Sequence, residues 1–255
     1  MIATVASLTW RNLRKVSRTP QIVFSSLIQP IVFLVLFSEV FRSIERTAGF
    51  PQGTSYVDYL VPAILITSIG TSSVQAGVGI AVDLNTGIID RFRSMPIRSE
   101  AVLVARSLSD LVRSAGQSFL LVLVATAFLG FRFHSTLPEI LGVFLIVWFF
   151  GWAMSWLYIA VGTMTRDVET TQMAGFIITF PLMFASTAFV PSSGMPGWLQ
   201  AFTAVNPLSQ AIDASRALAL GWPAAAQVLQ ALIAIAALAL VGMALAVIGF
   251  RRSRS

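Results

Sequence analysis

Apolar stretches separated by short polar segments run the length of the chain: Ile22–Phe41, Tyr59–Val82, Gly116–Gly130, Ile140–Thr163, Met173–Phe189 and Ala224–Phe250. None alternates with a period of two, and most approach the roughly 20 residues that cross a hydrocarbon core as a helix. Lipid offers no partner to backbone N–H and C=O groups, so long apolar runs without alternation fold as helices. The pattern predicts an all-α, polytopic membrane protein with six transmembrane helices. The third stretch is short, and its helix is predicted to begin further back, near Ala101, in the cytoplasmic layer. The first is too long for the core of a signal peptide and no small-residue cleavage site follows it, so it is expected to stay as a span. No internal repeat or linker appears, so residues 1–255 are read as one membrane domain with no soluble domain.

The polar interruptions carry their own patterns. Arg11, Arg14, Lys15 and Arg18 fall at i, i+3, i+4 and i+7, opposite Ile2, Val5, Leu13 and Val16. This predicts an amphipathic interfacial helix over 1–20, ended by Pro20. It is either a topology anchor or a connecting element against a cytoplasmic partner. In segment 83–100, Ile88, Phe92 and Met95 form an apolar ridge at i, i+4, i+7, rimmed by Asp90, Arg91, Arg93 and Arg98 and stopped by Pro96. A short helix with an apolar knob and a charged rim suits a groove on a soluble partner; lying flat on lipid headgroups is the alternative. Segment 190–222 reads as a loop from Pro191, a short helix over Trp198–Val205, a break at Asn206-Pro207-Leu208-Ser209, and a second helix over Ala211–Leu220 ending at Gly221. Asp213 and Arg216 share a helix face at i, i+3, as a surface pair or as a partly buried one.

Within the spans, Pro30 and Pro62 are static kinks or hinges. The second span is small and polar (Thr67, Ser68, Gly70, Thr71, Ser72, Ser73, Gln75, Gly77, Gly79), which suits a tight helix interface or a pathway wall with Gln75 as a polar contact. The fourth carries Trp148, Phe149, Phe150, Trp152, Trp156 and Tyr158; lipid-facing bulk is the favoured reading and contact with a flat apolar ligand the sharper one. The fifth mixes Gln172, Thr179, Phe180, Phe184, Ser186 and Thr187, a composition that suits a cavity for greasy ligands held by a few polar contacts.

Composition narrows the function. The 255 residues are 56% hydrophobic and 11% charged, with a net charge of +6. The basic residues fall into an inside set (Arg11, Arg14, Lys15, Arg18, Arg91, Arg93, Arg98, Arg106, Arg113, Arg166, Arg251, Arg252, Arg254) and an outside set (Arg42, Arg46, Arg132, Arg216), thirteen against four. That asymmetry predicts both termini in the cytoplasm and explains the charge without nucleic acid. There is no Cys and a single His, His134, which excludes thiol chemistry and Cys- or His-rich metal sites. The only Lys is Lys15, so no G-x-x-x-x-G-K-[ST] loop exists and the chain is not its own ATPase. Glu39, Asp83 and Glu169 sit near span ends, which argues against an ion-coupled carrier. No enzyme activity is expected of the chain itself.

Gly87-Ile88-Ile89-Asp90-Arg91-Phe92-Arg93-Ser94-Met95-Pro96 resembles the cytoplasmic coupling segment of type-2 ABC exporter permeases, and most of all the daunorubicin/doxorubicin-resistance group. Gly130-Phe131-Arg132-Phe133, the Pro196-Gly197-Trp198 loop and Asn206-Pro207-Leu208-Ser209 with Ser215–Gly221 agree. The resemblance implies a six-helix permease of the bacterial plasma membrane that pairs with a second copy or a sister permease. It also implies two ABC ATPase subunits, which would bind ATP and Mg; this chain would hold no cofactor. Ile88, Asp90, Arg91, Phe92, Arg93, Met95 and Pro96 would seat in each ATPase. Thr71, Gln75, Thr179, Phe180 and Phe184 would line the substrate pathway, and Trp198, Asn206, Asp213 and Arg216 would belong to an outer gate. The cargo would be hydrophobic drugs or envelope lipids, with membrane lipids as surroundings. A non-transporting scaffold or sensor that docks a cytoplasmic partner is the rival from another class.

Overall fold

A computed structural model describes residues 9–10, 20–41, 50–51, 53–88 and 101–252, with side chains of the first helix from residue 28 onward. The described residues are helical, without strands: α1 (Pro20–Val40), α2 (Tyr56–Ser72), α3 (Val74–Asn85), α4 (Ala101–Phe128), α5 (Leu137–Thr165), α6 (Val168–Phe184), α7 (Gly197–Val205), α8 (Pro207–Ala219) and α9 (Ala225–Arg252). Four helical stretches are long and apolar enough to cross a membrane: Tyr56–Asn85, α4, α5 and α9. In α1 the described apolar part is the shorter Ile28–Val40. At 17 residues, α6 reaches about 25 Å. The chain is therefore a multi-pass helical membrane protein.

The third apolar stretch does extend back to Ala101, as its shortness suggested. The second is one span in two pieces. Thr71 Oγ1 donates to Thr67 O at 2.8 Å, Ser72 Oγ to Ile69 O at 3.1 Å and Ser73 Oγ to Ile69 O at 2.9 Å. Consecutive hydroxyls that back-bond to the preceding turn compete with the ladder and bend the helix, and here it breaks at Ser73, which also donates to Gly151 O at 3.2 Å.

α5 is the central post, packed against α2, α3, α4, α6, α8 and α9. Lipid is as apolar as a protein core, so helices in it associate through close packing and polar contacts. The crossing of α3 on α5 shows this: a Cβ on Gly77 would lie 2.2 Å from Tyr158 O, and one on Gly162 would lie 2.3 Å from Gly77 O. The lipid-facing reading of the aromatic span is corrected here. Phe150 and Tyr158 are fully buried and Trp156 nearly so, while Leu137, Leu141 and Leu145 form the exposed face of α5. The rings of Phe150, Trp156 and Tyr158 fill the centre of the bundle because α5 has neighbours on almost every side, whereas Trp148, Phe149 and Trp152 are half-buried.

Segment 190–222 folds as a 3-10 turn over Ser192–Gly194 followed by α7 and α8. The break sits at Asn206 alone, and α8 begins four residues earlier than expected. Pro207 is its first residue, where a missing N–H costs nothing. Asn206 Oδ1 accepts from Leu208 N–H at 3.0 Å as the cap. Gly221, at φ +68°, follows α8, and a side chain there would press on His134 O at 2.7 Å. The loop before α5 is pinned in turn: Asp58 accepts from Arg132 N–H at 3.1 Å and contacts His134 Nε2 at 3.1 Å.

Candidate functional site

Helices α1, α2, α3, α4 and α6 enclose a cleft of about 410 Å³. Its walls are graded. At the end nearer Gln75 and Gln172 they present side-chain amides and the Arg113 guanidinium beside Val74 and Phe176; at the other end they present Phe33, Ile64, Phe180 and Met183, with Thr67, Ser68, Thr71, Ser72 and Thr179 between. All of these hydroxyls except that of Thr179 come from the run that breaks the second span, so one local sequence feature both bends the helix and lines the cavity.

Of the residues expected on the pathway, Thr71, Gln75, Thr179 and Phe180 meet on these walls. Phe184 does not line the cleft; it is half exposed and packs on Phe180 with ring centroids 4.5 Å apart. Thr179 is fixed from behind. Its hydroxyl donates to Gly175 O at 2.7 Å and makes a short hydrogen bond with Tyr158 of α5. Gln75 is exposed into the cleft, whereas its neighbours Ala76 and Gly77 are buried against α5. The interface reading and the wall reading of this span therefore hold on opposite faces of one helix.

Arg113 is the residue that the sequence pattern placed elsewhere, among cytoplasmic charges. It lies inside α4, twelve residues after Ala101, and its guanidinium reaches the broken span. Nη2 donates to Ser72 O at 2.8 Å, Nε to Asp110 Oδ1 at 3.1 Å, and Nη1 to Gln117 Oε1 at 3.4 Å. Ser72 Oγ donates to the same Gln117 oxygen at 3.0 Å. The signal was available: Asp110 and Arg113 stand at i, i+3 in a helix already expected to start at Ala101.

At the α8 end the expected gate residues separate. Asp213 and Arg216 do pair, at 3.1 Å. The arginine is buried: Nη2 donates to Thr187 O at 3.0 Å, Nε to Tyr59 O at 3.1 Å, and the guanidinium carbon sits 3.5 Å from the centre of the Tyr59 ring. Asp213 Oδ1 also accepts from Thr187 Oγ1 at 2.7 Å. Asn206 Nδ2 donates to Leu182 O and Ala185 O at 2.9 and 3.0 Å. Asn206 thus satisfies a carbonyl that the end of α6 leaves without a helical partner, while Arg216 binds carbonyls of α2 and of the segment after α6, and together they fasten α8 to helices that line the cleft. Trp198 takes no part and is largely exposed.

Of the expected coupling residues only Ile88 falls within the described part, half-buried just after α3. Asp90, Arg91, Phe92, Arg93, Met95 and Pro96 lie outside the described residues. So does most of the N-terminal 1–20 segment, apart from Thr9, Trp10 and Pro20, which opens α1. Thr9 lies against the start of α4, its hydroxyl 3.4 Å from Ala105 O. Among the described residues no group of His, Cys, Asp and Glu is arranged to hold a metal ion.

Comparison with known proteins agrees with this architecture. Residues 4–220 match the family model described as ABC-2 type transporter. A daunorubicin resistance ABC transporter permease protein of Streptomyces coeruleorubidus is 30% identical over 223 residues, covering 85% of this chain and 75% of the relative. A probable doxorubicin resistance ABC transporter permease protein of Mycobacterium tuberculosis is 26% identical over 246 residues, 96% of this chain and 87% of the relative. A putative transport permease of Pyropia yezoensis is 26% identical over 217 residues, covering 85% and 74%. The chain belongs to the ABC-2 type transporter family, as a membrane permease with drug-resistance permeases among its relatives.

Proposed function

We propose that this permease moves hydrophobic molecules, drugs or lipids, out of a bacterial cell and is energised by a separate ABC ATPase subunit. The observation that carries the reading is the graded cleft, where hydroxyls, amides and aromatic rings from five helices converge in a chain with no ATP-binding loop of its own. A greasy ligand with a few polar groups suits such walls. Thr71, Gln75, Thr179 and Phe180 contact the cargo, and Phe184 extends the aromatic edge. The ATPase docks on Ile88–Pro96, at the Arg252 end of the bundle. The asymmetry of basic residues, twelve against four once Arg113 is set aside in the cleft, supports placing that end and both termini in the cytoplasm. A second permease copy, identical or sister, completes the transporter.

The test is co-expression with a candidate ABC ATPase subunit and measurement of ATP hydrolysis in lipid nanodiscs. The expected result is a stable complex whose membrane-dependent stimulation is lost in Phe92→Ala and in Arg91→Glu, with both variants still folded. Gln75→Ala and Phe184→Ala should change which hydrophobic compounds stimulate turnover and leave assembly alone. No complex and no stimulation would instead favour a docking scaffold that transports nothing.

A further inference from the structure

Arg113 is the one charged residue among the described residues that line the cleft. Its counter-ion, Asp110, sits behind it: the arginine side chain is 13% exposed and the aspartate 4%. A ligand in the cleft therefore meets the positive end of the pair. Of the five guanidinium N–H groups, those on Nε and Nη2 are committed to Asp110 and the Ser72 carbonyl. Nη1 has only the 3.4 Å contact to Gln117, so it keeps a donor for something else.

The rest of the wall makes the complementary offer. Thr67, Thr71 and Ser68 donate their protons to carbonyls of their own helix. What they present to the cleft is lone pairs, which repel an anion and accept from hydroxyl or amide groups. An acidic group is thus directed to Arg113 and away from the hydroxyl belt. The two opposite walls also agree on direction. Along α6, Gln172 precedes Thr179, Phe180 and Met183; along the broken span, Gln75 and Ser72 lie at the same end and Ile64 at the other. Gly175 against Val74 fixes that register, since a Cβ there would lie 2.6 Å from Val74 Cγ1.

We propose that the cleft selects amphiphiles with an anionic headgroup, a carboxylate or a phosphate. The headgroup is held at Arg113 and the apolar body rests on Phe33, Phe180 and Met183. The inference rests on reading the cleft as the cargo site and deepens it: a cationic headgroup of equal size is disfavoured.

The full chain in phosphatidylcholine nanodiscs tests this with three probes. Each carries an NBD-labelled dodecyl chain and differs only in its headgroup, carboxylate, phosphate or trimethylammonium. Saturable fluorescence is read above that of protein-free nanodiscs. Both anionic probes should bind at least roughly tenfold more tightly than the ammonium probe, as a charge-assisted hydrogen bond in a partly dehydrated site allows. The carboxylate-to-phosphate ratio shows which acid the site favours. Arg113→Gln should bring the anion preference close to one. Should that variant fail to fold, Asp110→Asn decides, because removing the counter-charge must increase the preference. Phe180→Ala should weaken all three probes alike. Saturable binding that Phe180→Ala weakens, but with no headgroup preference or one that Arg113→Gln and Asp110→Asn leave unmoved, overturns the anion site and leaves the cargo cleft standing. Absence of saturable binding, or binding indifferent to Phe180→Ala, overturns both.

Discussion

Of the chain's three Asp-x-x-Arg pairs, Asp90–Arg93 lies outside the described residues; the other two, Asp110–Arg113 in α4 and Asp213–Arg216 in α8, are oriented oppositely by the fold. In the first the aspartate is buried and the arginine reaches the cleft; in the second the arginine is 4% exposed and the aspartate 37%. Both arginines donate to carbonyls where another helix ends or breaks, Arg113 at Ser72 and Arg216 at Thr187. Identical spacing thus supplies two different parts. Arg216 is fully enclosed by Tyr59, Thr187 and Asp213 and has nothing left to offer a ligand. Arg113 is clasped on one side and open on the other. Spacing makes the pair; the packing of the neighbouring helices decides whether it becomes a fastener or a recognition group.

The largest way to break this contrast is Arg216→Ala. The substitution leaves the Tyr59 and Thr187 carbonyls without their donor inside the bundle and removes the cation from the Tyr59 ring. The expected loss is about 3 kcal/mol of stability, from two buried acceptors at roughly 1–3 kcal/mol each. It should appear as a lower unfolding temperature in detergent, with little headgroup selectivity lost in the protein that stays folded. A variant as stable as wild type would mean that the α8 end is not fastened by this residue. Asn206→Ala should come next, at about 2 kcal/mol, since it removes a helix cap and the donor to Leu182 and Ala185 together. Arg113→Ala combined with Asp110→Asn, so that no carboxylate is left buried without its counter-ion, should cost less, about 1 kcal/mol, because the Ser72 carbonyl is then the acceptor that loses its donor. Its main consequence should be in ligand binding. A thermal shift as large as that of Arg216→Ala would make Arg113 a fastener as well and erase the distinction.

Much of this was legible in the sequence, unevenly and for physical reasons. The start of α4 at Ala101 followed from the length a membrane helix needs. The polar run in the second span announced the interface and the wall, whereas the break at Ser73 was not expected, because the pattern shows that hydroxyls must find acceptors and does not show that they bond backward onto their own helix. Four of the five expected pathway residues meet in one cleft, Thr71 and Gln75 from this span and Thr179 and Phe180 from α6. The aromatic span misled because lipid and protein core are equally apolar: hydrophobicity shows that α5 avoids water and cannot show which of its faces meets lipid. Arg113 was hidden by counting charge per segment, which treats every arginine near a helix start as a surface label. Phe184 lies one helical turn beyond Phe180, and the turn of α6 into its carbonyl-capped end carries it off the cleft.

The smallest expected effect is the finest test of the contrast, since it concerns the two aspartates. Asp213 stands outside the spans, in α8. Burial among apolar neighbours raises its pKa above the ordinary carboxylate value, against the opposing pull of Arg216 and the Thr187 hydroxyl. The folded state therefore binds this proton more tightly than the unfolded chain, so this group's contribution increases as pH falls through the folded pKa and is lost as pH rises above it. Asp213→Asn mimics the protonated form and can still accept from Thr187. With a side chain more than a third exposed, the pair should contribute little at neutral pH, and the variant should fall within about 0.5 kcal/mol of wild type. On acidification the wild type should gain stability relative to Asp213→Asn, a slope read directly from paired unfolding curves. The opposite slope would mean that the Arg216 charge outweighs burial at Asp213, and the outer pair would then be held by its ion pair. Asp110→Asn is the companion measurement. Its carboxylate is enclosed, with one oxygen that has no partner among the described residues, and it faces the arginine that the ligand meets, so its substitution should register in headgroup preference.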